Sequence, residues 1–345
     1  MAQKQSPVAK TIDYTGLTNE VSKADIKLFL DAQGLTGKLR ITKTVTMIAG
    51  GIAIIFVVPN FFLGAQQAIG SLIFILFAAG IVALILVAAQ YGYKKSVRLW
   101  RFAVANAFQY AHTILTPSYN GMIFQQGYSR FASNVVYVPG SDTLAAFEMG
   151  DYQYTTGSGK NRQTHLWSYI SIEMDRQLPH MVLDSRSNNL KIFGKDIASN
   201  LPESFSKDQI LSLEGDFNNS FTLYAPKEYE RDALYIFTPD LMALLMDQSA
   251  QFDAEIIDNR VFFYRRLAVD RTNPTIMYQL LTIINTVGMK MYRQTDYYAD
   301  ERVGDRANNV VAQSGRRLKR GVNWFVVIVI IIIFAVWIVP NFVRH

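Results

Sequence analysis

Three apolar runs constrain this chain more than any other feature: Ile41–Val58, Ser71–Gly92 and Val322–Val339, the last reading VNWFVVIVIIIIFAVWIV without one charge. A helix rising about 1.5 Å per residue crosses a hydrocarbon core in about 20 residues, and each run has that length. All three are therefore read as membrane helices. The first is the least regular, since Gly50 and Gly51 interrupt it and Lys43 must lie at the water boundary. Ala49 with Ala53, and Ala79 with Ala83, give the small-residue spacing that lets the first two helices pack as a hairpin.

Basic residues flank the runs unevenly. Lys38, Arg40 and Lys43 precede the first, Lys94, Lys95, Arg98 and Arg101 follow the second, and Arg316, Arg317, Lys319 and Arg320 precede the third. Positive charge is retained on the cytoplasmic side of a membrane, so the amino terminus and the long middle segment are expected inside, and Pro59–Gly70 and the tail outside. The expectation is a multi-pass protein of the bacterial plasma (inner) membrane, with the lipid bilayer as its first partner. Val-Pro-Asn-Phe occurs twice, at Val58–Phe61 and Val339–Phe342. Both copies fall where a helix would leave the outer face: proline stops it, asparagine suits the last turn and phenylalanine tolerates the interface. Met1–Lys38 is polar and holds no cleavable export signal.

This divides the chain into a cytoplasmic amino-terminal segment (1–40), a transmembrane hairpin (41–93, spans 41–58 and 71–92), a cytoplasmic domain (94–299), a basic linker (300–321), a carboxy-terminal span (322–340) and an outer tail (341–345). Once the eleven flanking basic residues are set aside, the remaining 23 Lys and Arg stand against 28 Asp and Glu, leaving about −5. The chain's basicity then belongs to the edges of the apolar runs, and no nucleic-acid partner is expected. The absence of cysteine excludes disulfides, thiolate catalysis and cysteine metal sites. The runs carry no ionisable group in their interiors, which favours anchoring over transport.

The middle segment reads as a strand-rich α+β domain with amphipathic helices. Leu99–Ala111 is amphipathic. Strand patterns follow in Gly121–Val138, Thr143–Tyr154, Thr164–Met174, His180–Leu183, Ile210–Glu214 and Ser220–Tyr224. "YIFTPDLMALLMDQ" reads as a strand entering a helix, with Thr238 as cap, Pro239 in the first turn and Asp240 at the positive end of the dipole. "FDAEIIDNRVFFYRR" reads as a hairpin turning at Asp258-Asn259. Asn273-Pro274 opens a last helix with Ile276, Leu280, Ile283 and Val287 on one face, and Asp300–Gly315 is a polar linker.

"LSLEGDFNNSFTLYAPKEYERDALYIFTPDLMALL" at Leu211–Leu245 resembles the bacterial membrane family carrying the domain of unknown function 3137. "RFAVANAFQY" at Arg101–Tyr110 is similar to that family's entry to its domain, and Thr155–Arg186 is similar to a version in uncharacterised actinobacterial membrane proteins. The resemblance covers about Lys94–Arg266. It implies a bacterial, membrane-attached cytoplasmic domain and brings no catalytic residue with it.

"GSGKN" at Gly157–Asn161 falls short of a phosphate loop, because Tyr154 stands where the first glycine belongs and Asn161 replaces the magnesium-holding hydroxyl. His112, His165, His180 and His345 lack any paired spacing for zinc. No cofactor is expected. "LPHMVLDSR" places His180, Asp184 and Arg186 on one face of a strand, a polar site that Glu214, Asp216 and Arg231 would extend; ordinary charge pairing across strands explains the same pattern. Two functions follow. One is a non-enzymatic, membrane-anchored binding or scaffold domain meeting a protein at the cytoplasmic face. The other is a membrane-bound hydrolase or transferase acting on a lipid or phosphorylated substrate through His180 and Asp184.

Overall fold

The fold is that of a computed structural model, which describes residues 12–37, 47, 50, 51, 65–141, 145–192, 195–305, 307–322, 327, 330–332 and 334. The chain divides into two units, one of residues 13–112 with 272–274 and one of the rest.

In the smaller unit, α1 (Thr15–Thr18) and α2 (Lys23–Ala32) accompany a 41-residue helix, α3 (Ala65–Ala105). Ser22 and Asp25 cap α2 reciprocally, each side chain accepting the other residue's backbone N–H. Phe29 and Leu30 of α2 bury against Val97 of α3, with Trp100 and Tyr110 packed alongside. Gly16 of α1 lies against the α3 backbone so closely that a Cβ there would sit 2.6 Å from the Phe102 nitrogen.

The three-span expectation is overturned, and with it the multi-pass topology and the inner-membrane placement. Among the described residues no helix is long and apolar enough to cross a membrane. Counting apolar residues along the sequence does not show where a helix begins and ends. The second run belongs to α3, which continues through Lys94, Lys95, Arg98 and Arg101 into turns whose Val97, Leu99, Phe102 and Ala103 are buried. The first and third runs lie largely outside the described residues, as do Lys38, Arg40, Lys43 and both Val-Pro-Asn-Phe copies. The described basic flanks are partly engaged within the fold: Arg101 pairs with Asp25, Arg317 with Asp258 and Arg320 with Glu203.

The larger unit is α+β and built on one antiparallel sheet. β1 (Gln109–Leu115) straddles the division of the chain. Then come β2 (Tyr128–Val138), β3 (Phe147–Thr156), β4 (Gln163–Ser185), the small pair β5 (Leu190–Ile192) and β6 (Lys195–Ala198), β7 (Ile210–Leu211), β8 (Phe221–Tyr224) and β9 (Asp253–Arg266). The main sheet runs β2-β3-β4-β8-β7, with β9 also paired to β4. Because β9 follows β4 from Trp167 to Leu183, β3 and β8 must share the opposite edge, β3 along Gln163–Ile172 and β8 along Val182–Ser185.

β4 is one strand where two were expected. Pro179 cannot donate to a ladder, so it sits where the register breaks, between Leu178 and Met181. Met174–Gln177 form a larger bulge opposite Asn259, and the Asn309 side chain closes part of it by accepting from the Gln177 N–H and donating to the Asp175 carbonyl. β9 is likewise continuous. Asp258, at φ +54°, bends it at the level of the bulge without reversing it. At the start of β2, Gly127 (φ +53°) packs so tightly that a Cβ would sit 2.1 Å from the Thr155 carbonyl oxygen.

Helices α4 (Glu230–Ile236) and α5 (Pro239–Ser249) lie between β8 and β9, and α6 (Pro274–Ile283) and α7 (Met289–Thr295), joined by a π turn at Ile284–Gly288, come after β9. Tyr235 and Ile236, read as strand, are in α4. Phe124 anchors an aromatic core with Tyr152, Tyr169, Phe262 and Tyr264, ring centroids 4.5–6.4 Å apart.

Candidate functional site

His180 and Asp184 follow Pro179, the register break in β4, by one and five residues, and Asp253 and Glu255 open β9 beside them. Val182 pairs with Glu255 across the ladder, so period-two alternation puts all four ionisable side chains on one face. That face is covered. Each of the four is at most 5% exposed.

Covering a charge is tolerated only when its hydrogen-bond capacity is met. Glu255 accepts from the Met122 N–H (2.8 Å), the Tyr264 hydroxyl (2.7 Å) and His180 Nε2 (2.9 Å). His180 Nδ1 in turn accepts the Leu318 N–H at 3.0 Å. Asp253 accepts from the Ser185 N–H (2.9 Å) and the Asn188 amide (3.1 Å). Burial, then the charge of neighbouring Asp184, pushes the Asp253 carboxyl up to about 7. A second buried set lies further along the sheet. Arg271 pairs with Asp151 at 3.0 Å and donates to the carbonyls of Asn134 and Met149, while Ser168 links Asp151 to the Val269 N–H.

The remaining expected site residues lie elsewhere. Arg186 is exposed just past β4, Glu214 and Asp216 are exposed in the loop before β8, and Arg231 projects from α4 with an 88% exposed side chain. The six do not converge. Alternation correctly orients a strand's side chains, but it cannot say whether another segment will roof the face they share.

Arg231 belongs instead to an open cleft lined by Arg176, Asp232, Tyr235, Tyr297, Tyr298 and Arg302. Its floor is fixed. Arg302 pairs with Asp232 (2.9 Å) and Asp300 (3.1 Å) and stacks on the Tyr229 ring at 3.8 Å, and the Tyr298 hydroxyl donates to Asp232 at 2.8 Å. Burial pushes the Asp300 carboxyl up, but bonds from Tyr229, the Ala312 N–H and Arg302 outweigh it and hold the group below its ordinary value. The rim is open: Tyr297 is 83% exposed, and Tyr235 and Arg231 line the cleft beside the floor. Sequence reading missed this cleft, though "TDYYADER" at Thr295–Arg302 carries its signal of paired tyrosines among alternating charges. Among the described residues no group of three or more His, Asp or Glu is placed to hold a metal ion.

No family model matches the chain, and no curated protein does. Among solved structures it is similar to the crystal structure of the mycobacterial trehalose monomycolate transport factor A, TtfA, at 12% identity and a TM-score of 0.38. That match spans 56% of this chain and 93% of the other. A likeness of this size carries no argument about what the chain does.

Proposed function

We propose that the chain is a non-catalytic binding or scaffold domain whose tyrosine–arginine cleft receives a segment of a protein partner. The supporting observation is the pairing of a rigid floor with an exposed rim. Tyr229, Asp232, Asp300 and Arg302 lock one another, while Tyr297, Tyr235 and Arg231 stay open. Tyrosine and arginine are the residues that most often dominate protein interfaces, and a floor ordered in advance lowers the entropy lost on binding. Arg231 meets its nearest carboxylate, Glu301, only at 3.7 Å on an exposed surface, so it favours a partner segment offering an acidic group.

A photoreactive residue at Tyr297 should yield one discrete, identifiable protein adduct in cells, weakened by Arg231→Ala and Tyr235→Ala. The same probe at Lys160, on the exposed turn between β3 and β4, should give none. Absence of an adduct at Tyr297, or equal adducts at both positions, would overturn the reading. The second reading, a hydrolase or transferase acting on a lipid or phosphorylated substrate, would draw on Asp253, whose carboxyl burial and the Asp184 charge push up to about 7, and it requires the covered face to open to substrate. Turnover of a phosphoester or acyl ester by the purified chain, lost in Asp253→Asn, would put this reading in place of the first.

A further inference from the structure

The carboxy-terminal segment Arg316–Gly321 crosses the sheet as a strap. Phe205 and Arg320 form an isolated antiparallel bridge, the Ser206 N–H donates to the Lys319 carbonyl, and the Gly321 N–H donates to the Ser204 carbonyl. Gln209 exchanges two further bonds with Lys319, its carbonyl oxygen accepting the Lys319 N–H and its amide donating to the Lys319 carbonyl. At the edges, Arg317 reaches Asp258 and Arg320 reaches Glu203. Leu318 lies between, buried, and its N–H donates to a side chain inside the sheet, His180 Nδ1.

The hydrogen bonds around Glu255 fix the tautomer of that imidazole. Glu255 can only accept while ionised, and its Oε2 already takes the Tyr264 hydroxyl, whose proton burial and the Glu255 charge hold firmly in place. Oε1 therefore receives the hydrogen on His180 Nε2. Neutral imidazole carries one hydrogen, so Nδ1 is a bare lone pair, as an acceptor of the Leu318 N–H must be. A proton on Nδ1 would set two N–H groups against each other inside the fold. It would strengthen the Nε2–Glu255 contact and cost the bond to the strap.

We propose that His180 is a proton-operated latch: neutral, it holds the strap to the sheet through the Leu318 amide, and on protonation it releases Leu318 and loosens residues 316–321. The charged and titratable groups around it are Glu255 and Asp258 of β9, Tyr264 behind Glu255, Asp184 and Asp253 on the same covered face, and Arg317 of the strap; Glu203, paired with Arg320, lies on the segment the strap crosses. Asp258, held below its ordinary value by Arg317 and Asn120 against the effect of its own burial, stays charged across the range in which an imidazole titrates. Release bares Leu318 and Phe205, two side chains otherwise at most 7% exposed. This inference is independent of the cleft.

The test is amide hydrogen exchange on the purified chain, expressed as protection relative to the intrinsic rate at each pH. Protection of the Leu318 amide should fall about tenfold between about pH 8 and 5.5, the effect of losing one buried backbone hydrogen bond. His180→Asn places a carbonyl oxygen near the position of Nδ1 and cannot titrate, so its strap should stay protected with no step. In the wild type, nitrogen spectra of the His180 ring should show the Nε2–H form at the high end, and its protonation should coincide with the exchange step. A flat wild-type profile overturns the latch. So does a His180→Asn profile that falls like the wild type, or a ring that titrates more than about one pH unit from the exchange step.

Discussion

The Arg271–Asp151 pair makes the most quantitative demand on the fold. Arg271 is 1% exposed; it meets Asp151 at 3.0 Å and donates to the Asn134 and Met149 carbonyls at 2.9 and 3.1 Å. Arg271→Met keeps much of the stem's packing and removes the charge. It takes the guanidinium away from the Asp151 carboxylate, which is 5% exposed and also accepts from the Ser168 hydroxyl. Breaking one side of a buried pair costs about 3–5 kcal/mol, and two carbonyls stripped of a donor add about 1 kcal/mol more, so the loss is about 4–6 kcal/mol. At about 2–4 °C per kcal/mol for a unit of this size, melting should drop by about 8–24 °C. Urea denaturation should show the loss as a shifted midpoint with an unchanged slope. The double variant Arg271→Met/Asp151→Leu removes both charges and should recover to within about 2 kcal/mol of the wild type. A single variant losing under about 1 kcal/mol, or a double variant no better than the single, would refute the reasoning.

Asp253 gives a pH-dependent counterpart. Its folded pKa is raised, from 3.8 to about 7, so between those values the native state holds a proton that the unfolded chain has released, and stability falls as pH rises through that window. Asp253→Asn should therefore be more stable than the wild type at pH 8 by about 2–4 kcal/mol, with the gain fading toward pH 4; a gain independent of pH in paired denaturation curves would contradict this. Gly127→Ala places a Cβ 2.1 Å from the Thr155 carbonyl at a positive φ and should cost at least about 2 kcal/mol, while Gly159→Ala, also at positive φ but with open space around it, should cost about 1 kcal/mol. Equal losses at the two glycines would show that close packing at Gly127 is not the cause.

Local chemistry was readable where it acts through the nearest few residues. Pro239 and Pro274 begin α5 and α6 as their positions predict, and alternation orients His180 and Asp184 correctly. Signals that interrupt a pattern were harder to read. The gap between the patterns at Thr164–Met174 and His180–Leu183 suggested two strands and Asp258-Asn259 a reversal, yet both mark bends within strands that continue, because a bulge in β4 and a kink in β9 accommodate each other. Asp300–Gly315 looked like a plain linker because its contacts are hydrogen bonds: Asp300 to Tyr229, and Asn309 to β4. The buried partners of His180 were hidden for a related reason. Glu255 lies on a distant strand and Leu318 contributes only backbone, which has no signature in a sequence.

β4 has a consequence for how the molecule is made. Its ladder with β9 joins residues as far apart as Trp167 and Arg266, 99 positions along the chain. A ribosome adding about 5–20 residues per second would leave that edge of the strand waiting about 5–20 s for its complement to emerge. In that interval a long ribbon carrying Trp167, Ile170, Ile172, Val182 and Leu183 is open to a neighbouring nascent chain, so yield in a foreign host should respond to translation speed and chaperone supply more than to the stability of the finished protein.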